Sequence, residues 1–181
     1  MTFVALLRGI NVGGNTLVPM RQLKELFERL GFASVKTYIN SGNVVFDARE
    51  TSARTLEESI EKALAKKFGS PIRVVVKSLP EMKRIVAAMP EEWSDTKRWR
   101  SNVIFLGHTI DKPSIMKELR FDPAIESVTY RKGALFWAVG WKDVTKSRVA
   151  RLNRSPIYKE MTVRNPNTTR KIYELMAERS R

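Results

Sequence analysis

Residues 35–46, Val35-Lys36-Thr37-Tyr38-Ile39-Asn40-Ser41-Gly42-Asn43-Val44-Val45-Phe46, decide the fold. Two β-rich segments, Val35–Ile39 and Val44–Phe46, flank Asn40-Ser41-Gly42-Asn43, a cluster of turn residues that reads as a hairpin. Upstream, Pro19–Leu30 carries Met20, Leu23, Leu26, Phe27 and Leu30 at helical spacing, with Gly31 as a stop signal. Before it, the apolar run Thr2–Leu7 reads as a buried strand. Downstream, Thr51–Phe68 repeats Leu56, Ile60, Leu64 and Phe68 every four residues, a helix, and Ile72–Val76 is again a strand. The order β-α-β-β-α-β is the split pattern of ferredoxin-like folds.

The pattern then restarts. Leu79–Met89 reads as a connecting helix and Pro90–Arg100 as a polar linker. Strands follow at Asn102–Leu106, Val128–Tyr130 and Ala134–Val139, with Arg131-Lys132-Gly133 as the turn between the last two. Helices are expected at Pro113–Leu119 and Val144–Leu152, a short strand at Met161–Val163, and a final helix at Asn167–Ala177 that buries Ile172, Leu175 and Met176. The expected class is α+β. Two tandem ferredoxin-like (βαββαβ) subdomains with antiparallel sheets, 1–78 and 101–181, are joined by a helical linker over 79–100.

The 181 residues include 33 Lys+Arg and 19 Asp+Glu, a formal charge of +14. Local excesses fall at Lys97-Arg98-Trp99-Arg100 and from Lys142 to Arg181, where Lys146, Arg148, Arg151 and Arg154 follow one another closely. Such a field attracts phosphates, although a solvated basic surface also serves solubility. There is no cysteine and only one histidine, His108. Disulfides, thiolate metal sites and thiol nucleophiles are excluded, and no second histidine exists to share a metal. No metal and no cofactor are expected. No run reaches the roughly 18 apolar residues of a membrane span, and the opening lacks the basic start of a secretory signal. The expected compartment is the cytoplasm, with no membrane partner.

Topology brings two polar motifs together. In a βαββαβ sheet the first and third strands are antiparallel neighbours, so the end of one lies beside the start of the other. Strand one runs out into Arg8-Gly9-Ile10-Asn11-Val12-Gly13-Gly14-Asn15, and strand three begins beside Asn40-Ser41-Gly42-Asn43. Arg8, Asn11, Ser41 and Asn43 therefore converge on one sheet edge, offering a guanidinium, amides and a hydroxyl around glycine backbone suited to an anion nest. The alternative is that Gly9, Gly13, Gly14 and Gly42 simply make turns that the asparagines brace. No Walker or dinucleotide fingerprint is present.

A second cluster is Arg164-Asn165-Pro166-Asn167-Thr168. Asn165-Pro166 reads as a helix N-cap with proline in the first helical position. Arg164, a cation ahead of a helix start, calls for an anionic neighbour, either a ligand phosphate or Glu160. His108 reads as a loop residue, and Asp47, Asp95, Asp111, Asp122 and Asp143 are too scattered for paired acid–base chemistry. An RNA-recognition module shares the topology but needs alternating rings after a basic-Gly start. In Lys132-Gly133-Ala134-Leu135-Phe136-Trp137 an alanine stands where the first ring belongs. Of Trp93, Trp99, Trp137 and Trp141, the last two are as well explained by packing.

Leu6-Leu7-Arg8-Gly9-Ile10-Asn11-Val12-Gly13-Gly14, Tyr38-Ile39-Asn40-Ser41-Gly42-Asn43-Val44 and Thr162-Val163-Arg164-Asn165 with Asn167-Thr168 together resemble the bacterial family catalogued as domain of unknown function 1697. The resemblance implies tandem ferredoxin-like subdomains and characteristic residues at Arg8, Gly9, Asn11, Gly13, Gly14, Ser41, Gly42, Asn43, Arg164, Asn165 and Thr168. It brings no activity. This chain has Pro166 where the family usually has a tryptophan, so an indole able to stack on a ligand is missing from that position. Three readings fit these residues. The foremost is a binding protein for a phosphate-bearing ligand, a nucleotide or a nucleic-acid backbone. The others are an enzyme for a small anionic substrate clamped by Arg8 and Arg164, and a structural or partner-binding protein. Neither the oligomeric state nor a catalytic residue is legible.

Overall fold

A computed structural model of the chain describes residues 1–13, 16–49, 52–94, 97–149, 152 and 155–179. Two compact units emerge, one formed by Met1–Lys83 with Lys171–Arg181 and the other by Arg84–Arg170.

In the first unit the elements are β1 (Thr2–Leu7), α1 (Met20–Arg29), β2 (Ala33–Tyr38), β3 (Asn43–Asp47), α2 (Ala53–Phe68) and β4 (Val74–Ser78), with α3 (Leu79–Ala87) following directly. The sheet order is β2-β3-β1-β4, and every pairing is antiparallel. This is the ferredoxin-like arrangement that the alternation of patterns predicts. The continuous apolar run of β1 reflects burial on both faces. Phe3, Ala5 and Leu7 join Leu23, Phe27, Leu56, Ile60 and Leu64 of the two helices in one core, while Val4 and Leu6 on the other face are also buried. Phe46 holds the aromatic centre, with Phe27, Phe32 and Phe3 at ring distances of 5.3, 4.5 and 5.9 Å. The edge strand β4 is closed off by α2: the Glu57 and Glu61 carboxylates accept the Val76 and Val74 amides, each at 2.8 Å.

The second unit repeats the order with β5 (Trp99–Leu106), α4 (Ile115–Glu118), β6 (Glu126–Arg131), β7 (Ala134–Gly140) and β8 (Met161–Arg164), in a sheet ordered β6-β7-β5-β8. The last helix, α5, spans Pro166–Ala177. Two expectations fail here. β5 begins at Trp99 rather than Asn102, because Trp99, Arg100 and Ser101 pair with Gly140, Val139 and Ala138 of β7. The helix expected over Val144–Leu152 does not form among the described residues; 3-10 turns at Trp141–Asp143 and Pro156–Glu160 flank the segment. Val149 and Leu152 stand three apart, as on one helix face, yet a tertiary contact organises the described part of the segment instead.

That contact is Glu126. Its carboxylate is buried and accepts from the Trp137 indole at 2.9 Å, the Arg148 amide at 3.1 Å, the Asp122 amide at 3.2 Å and the Ser147 hydroxyl. Burial pushes its pKa up, but the four donors outweigh burial and hold the carboxyl below its ordinary value. The non-helical segment is thereby pinned to the sheet, with Val149 in the core beside Ile104, Leu135, Trp137 and Val139.

Candidate functional site

At the end of β1, Leu6 pairs with Asn43, and the Leu7 amide donates to the Gly42 carbonyl at 2.8 Å. The Arg8 amide donates to Arg73 of the neighbouring β4 side at 2.9 Å, so Arg8 sits between both flanking strands, half-buried. Gly9 and Gly13 turn the loop with φ of 63° and 57°. Gly14 lies outside the described residues, and so do Arg151, Arg154 and Asp95.

The asparagines link the pieces. Asn11, at φ 56°, donates through Nδ2 to the carbonyls of Val18 and Asn40, each at 2.9 Å, and accepts the Val18 amide through Oδ1 at 2.8 Å. Asn43 is fully buried and donates to the Tyr38 carbonyl and the Ser41 hydroxyl, each at 3.0 Å. Arg8, Asn11, Asn40, Ser41, Gly42 and Asn43 thus meet at one sheet edge. Both amide protons of Asn11 and both of Asn43 are engaged by the protein, which uses their full donor capacity.

In the second unit Asn165 caps α5: its Oδ1 accepts the Thr168 amide at 2.7 Å, and its carbonyl accepts from the Thr169 amide and hydroxyl, each at 3.0 Å. Arg164, one residue earlier, is buried and donates to the Thr162 hydroxyl at 2.9 Å and the Val163 carbonyl at 2.8 Å. Burial lowers its pKa to about 10, with Tyr158 acting in the opposite sense. Glu160 accepts from Thr109 at 3.4 Å, and its carbonyl accepts the Gly107 amide at 2.8 Å.

An open cleft of about 290 Å³ lies where β5 begins and α5 starts, lined by Arg100, Ser101, Asn102, Trp99, Trp141 and the Asn165-Pro166-Asn167 run. Residues of β8 alternate between faces. Val163 lines a 170 Å³ cavity with Trp137 and Tyr158 that shares Arg100 and Asn102 with this cleft, the Arg100 guanidinium lying 6.0 Å from the Trp137 ring centroid, while Arg164 belongs to the opposite face of the sheet. Thr168 and Thr169 have their amides satisfied by Asn165, and Pro166 has none, so the remaining first-turn amide of α5 belongs to Asn167. Pro166, at the position where relatives are expected to carry an indole, lines this cleft beside two indoles supplied by β5 and the turn after β7. Trp137 is buried, as packing predicts, whereas Trp141 is 53% exposed. The signal for this cleft was the Lys97-Arg98-Trp99-Arg100 run, which the charge pattern marks without revealing its partner Trp141.

The remaining polar groups have structural partners. Asp47 accepts from Thr2, Asp111 from Tyr130 and the Gly133 amide, Asp122 from the Ala124 amide, and Asp143 from Lys146. His108 is exposed in the turn after β5. Among the described residues no group of three or more His, Asp or Glu side chains is gathered closely enough to hold a metal ion. Nor is any helix there long and apolar enough to cross a membrane.

The model of a family described as proteins of unknown function, DUF1697, matches residues 1–136. The chain belongs to the DUF1697 family. The match takes in the Arg8–Gly14 and Asn40–Asn43 motifs and stops short of Arg164. Among solved structures, the conserved bacterial protein SP0830 from Streptococcus pneumoniae is similar at 26% identity and a TM-score of 0.84, covering 97% of this chain and 98% of its own. The likeness to that structure takes in the part of the chain beyond residue 136 as well. No curated protein matches the sequence.

Proposed function

We propose that this DUF1697 protein binds a phosphate-bearing ligand, a nucleotide or a stretch of nucleic-acid backbone, in the cleft beside Arg100. One observation carries the reading: Arg100, two tryptophans and the asparagines at the start of α5 line the same open space. A phosphate needs a fixed cation and hydrogen-bond donors, and a base needs an apolar ring face; Arg100, Asn167 and the pair Trp99 and Trp141 supply these. The +14 charge favours encounter with any polyanion.

For the edge around Arg8 the contacts favour a structural role, because the Asn11 and Asn43 side-chain donors are engaged internally. In that role the edge braces the loop after β1 against the hairpin and presents a fixed surface.

The test is thermal unfolding with nucleoside mono- and triphosphates and with inorganic phosphate. A ligand at one hundred times its Kd adds about 2.7 kcal/mol, which for a chain of this size raises Tm by about 5–10 °C. The shift is expected to vanish in Arg100→Ala and to persist in Arg8→Ala. No shift with any phosphate compound, or a shift that survives Arg100→Ala, overturns the reading.

A further inference from the structure

We propose that the 170 Å³ cavity beside Arg100 is a binding site for a small aromatic carboxylate. The single ring of such a ligand enters among Ile104, Trp137 and Val163, and its carboxylate meets Arg100 and Asn102. The inference goes beyond the phosphate reading and does not depend on it. One wall of the cavity is the sheet itself: Asn102 pairs with Trp137 of β7, and Ile104 with Val163 of β8. The rest of the wall includes Val149 and Tyr158, from the stretch between β7 and β8. Arg100 and Asn102 also line the outer cleft, so the cavity opens on their side.

The two units show why space is left here. In the first, α2 stands between β3 and β4 in the chain and buries Leu56, Ile60 and Leu64 in the core of that unit. In the second, the stretch between β7 and β8 forms no α-helix among the described residues. Val149 and residues of the 3-10 turn at Pro156–Glu160 pack there instead. Scattered side chains cover a sheet face less completely than the continuous apolar stripe of a helix. The shortfall has the size of one ring, since an apolar cavity of about 150 Å³ holds a benzene molecule.

The open side supplies one cation and one amide. The Arg100 guanidinium lies 6.0 Å from the Trp137 ring centroid, which holds it on the cavity side of β5. A guanidinium resting over a ring keeps its in-plane N–H groups for hydrogen bonding, and a carboxylate takes these in pairs. Asn102 is half-buried, and its side-chain amide has no hydrogen-bond partner among the described residues. Its NH2 group suits a carboxylate oxygen. Among the described residues lining the cavity, Arg100 is the one that is charged. It balances the single charge of a carboxylate, whereas a phosphate monoester brings about −1.5 to −2 and would leave part of that charge unpaired beside apolar walls.

The test titrates isotope-labelled protein with benzoate, benzamide and acetate by NMR, following the indole N–H signal of Trp137. Benzoate is expected to shift that signal saturably. It should bind at least about tenfold more tightly than acetate, which lacks the ring, or benzamide, which lacks the charge. Val163→Phe places a ring in the cavity and should abolish the benzoate response. Val163 does not line the outer cleft, so thermal shifts with phosphate compounds should persist in that variant. Arg100 is exposed, and Arg100→Lys keeps the charge and the fold while losing the planar fork. Benzoate should bind that variant about tenfold more weakly, with benzamide unchanged. The site is overturned by no saturable shift with benzoate, by benzamide binding as tightly, or by benzoate binding of wild-type strength in Arg100→Lys or in folded Val163→Phe. None of these outcomes touches the phosphate reading, which stands or falls on the shifts with nucleotides and inorganic phosphate.

Discussion

Asn11 Nδ2 donates to the backbone carbonyl of Asn40 at 2.9 Å, joining the loop that leaves β1 to the tip of the hairpin that precedes β3. The same side chain exchanges two further bonds with Val18, so one amide holds three separate stretches of backbone together. Its φ of 56° suits asparagine better than most residues.

Replacing that amide should therefore cost stability in two separable parts. Asn11→Gly keeps the left-handed backbone and loses the bonds, for about 1–2 kcal/mol. Asn11→Ala adds the strain of positive φ, about 1 kcal/mol more. Chemical denaturation of both variants checks the order. Equal stability of Asn11→Ala and wild type would refute the bracing role.

Gly42 should be far less replaceable than Gly13. Both have positive φ, but a Cβ at Gly42 would lie 2.7 Å from Ile10 Cδ1 and 2.8 Å from Leu7 Cβ, while nothing stands within 4 Å at Gly13. Gly13→Ala is expected to cost about 1 kcal/mol, the strain alone. Gly42→Ala adds overpacking of about 1–3 kcal/mol. The difference is read from denaturation midpoints.

Glu126 should give the second unit an acid-sensitive anchor. Its folded pKa lies below the unfolded value, so its stabilising contribution is present above about pH 4.3, the ordinary glutamate value. That contribution fades as the pH falls through the lower folded value. Glu126→Gln should destabilise by about 2–3 kcal/mol at pH 7, since a neutral amide accepts fewer of the four bonds. The gap between variant and wild type should narrow in acid. Parallel stability curves from pH 7 to pH 3 would count against the ionised, four-donor picture.

Asn165 separates capping from binding. Asn165→Ala removes the bond to the Thr168 amide and should lower stability by about 1 kcal/mol. Asn165→Asp retains the cap and places a negative charge at the Arg100 cleft. The expected result is near-native stability with weaker binding of phosphate compounds, measured by thermal shift. Unchanged ligand response in Asn165→Asp would move the ligand elsewhere.

The sheets were legible because their signal is local. β1 and the Val103–Leu106 part of β5 are apolar runs too short for core helices, α1 and α2 repeat apolar residues at helical spacing, and Asn40-Ser41-Gly42-Asn43 has hairpin chemistry. The meeting of the Arg8 and Asn43 motifs was legible too, since antiparallel neighbours leave no other place for a strand end. What those side chains do there was not. Whether an asparagine amide points at a ligand or at a carbonyl seven or 29 residues away depends on distances that no spacing rule carries.

Composition and periodicity by themselves determined the α+β class, the doubled βαββαβ order, the strong positive charge and the absence of thiol chemistry. Tertiary structure alone decided that the described residues after β7 form no α-helix before β8, where Glu126 draws Ser147 and Arg148 to the sheet from 21 and 22 residues away. It also decided that Trp99 and Trp141, far apart in the chain, line common ground with Arg100. Strand pairing converts sequence separation into adjacency, and side chains acquire chemistry only from the neighbours that pairing gives them.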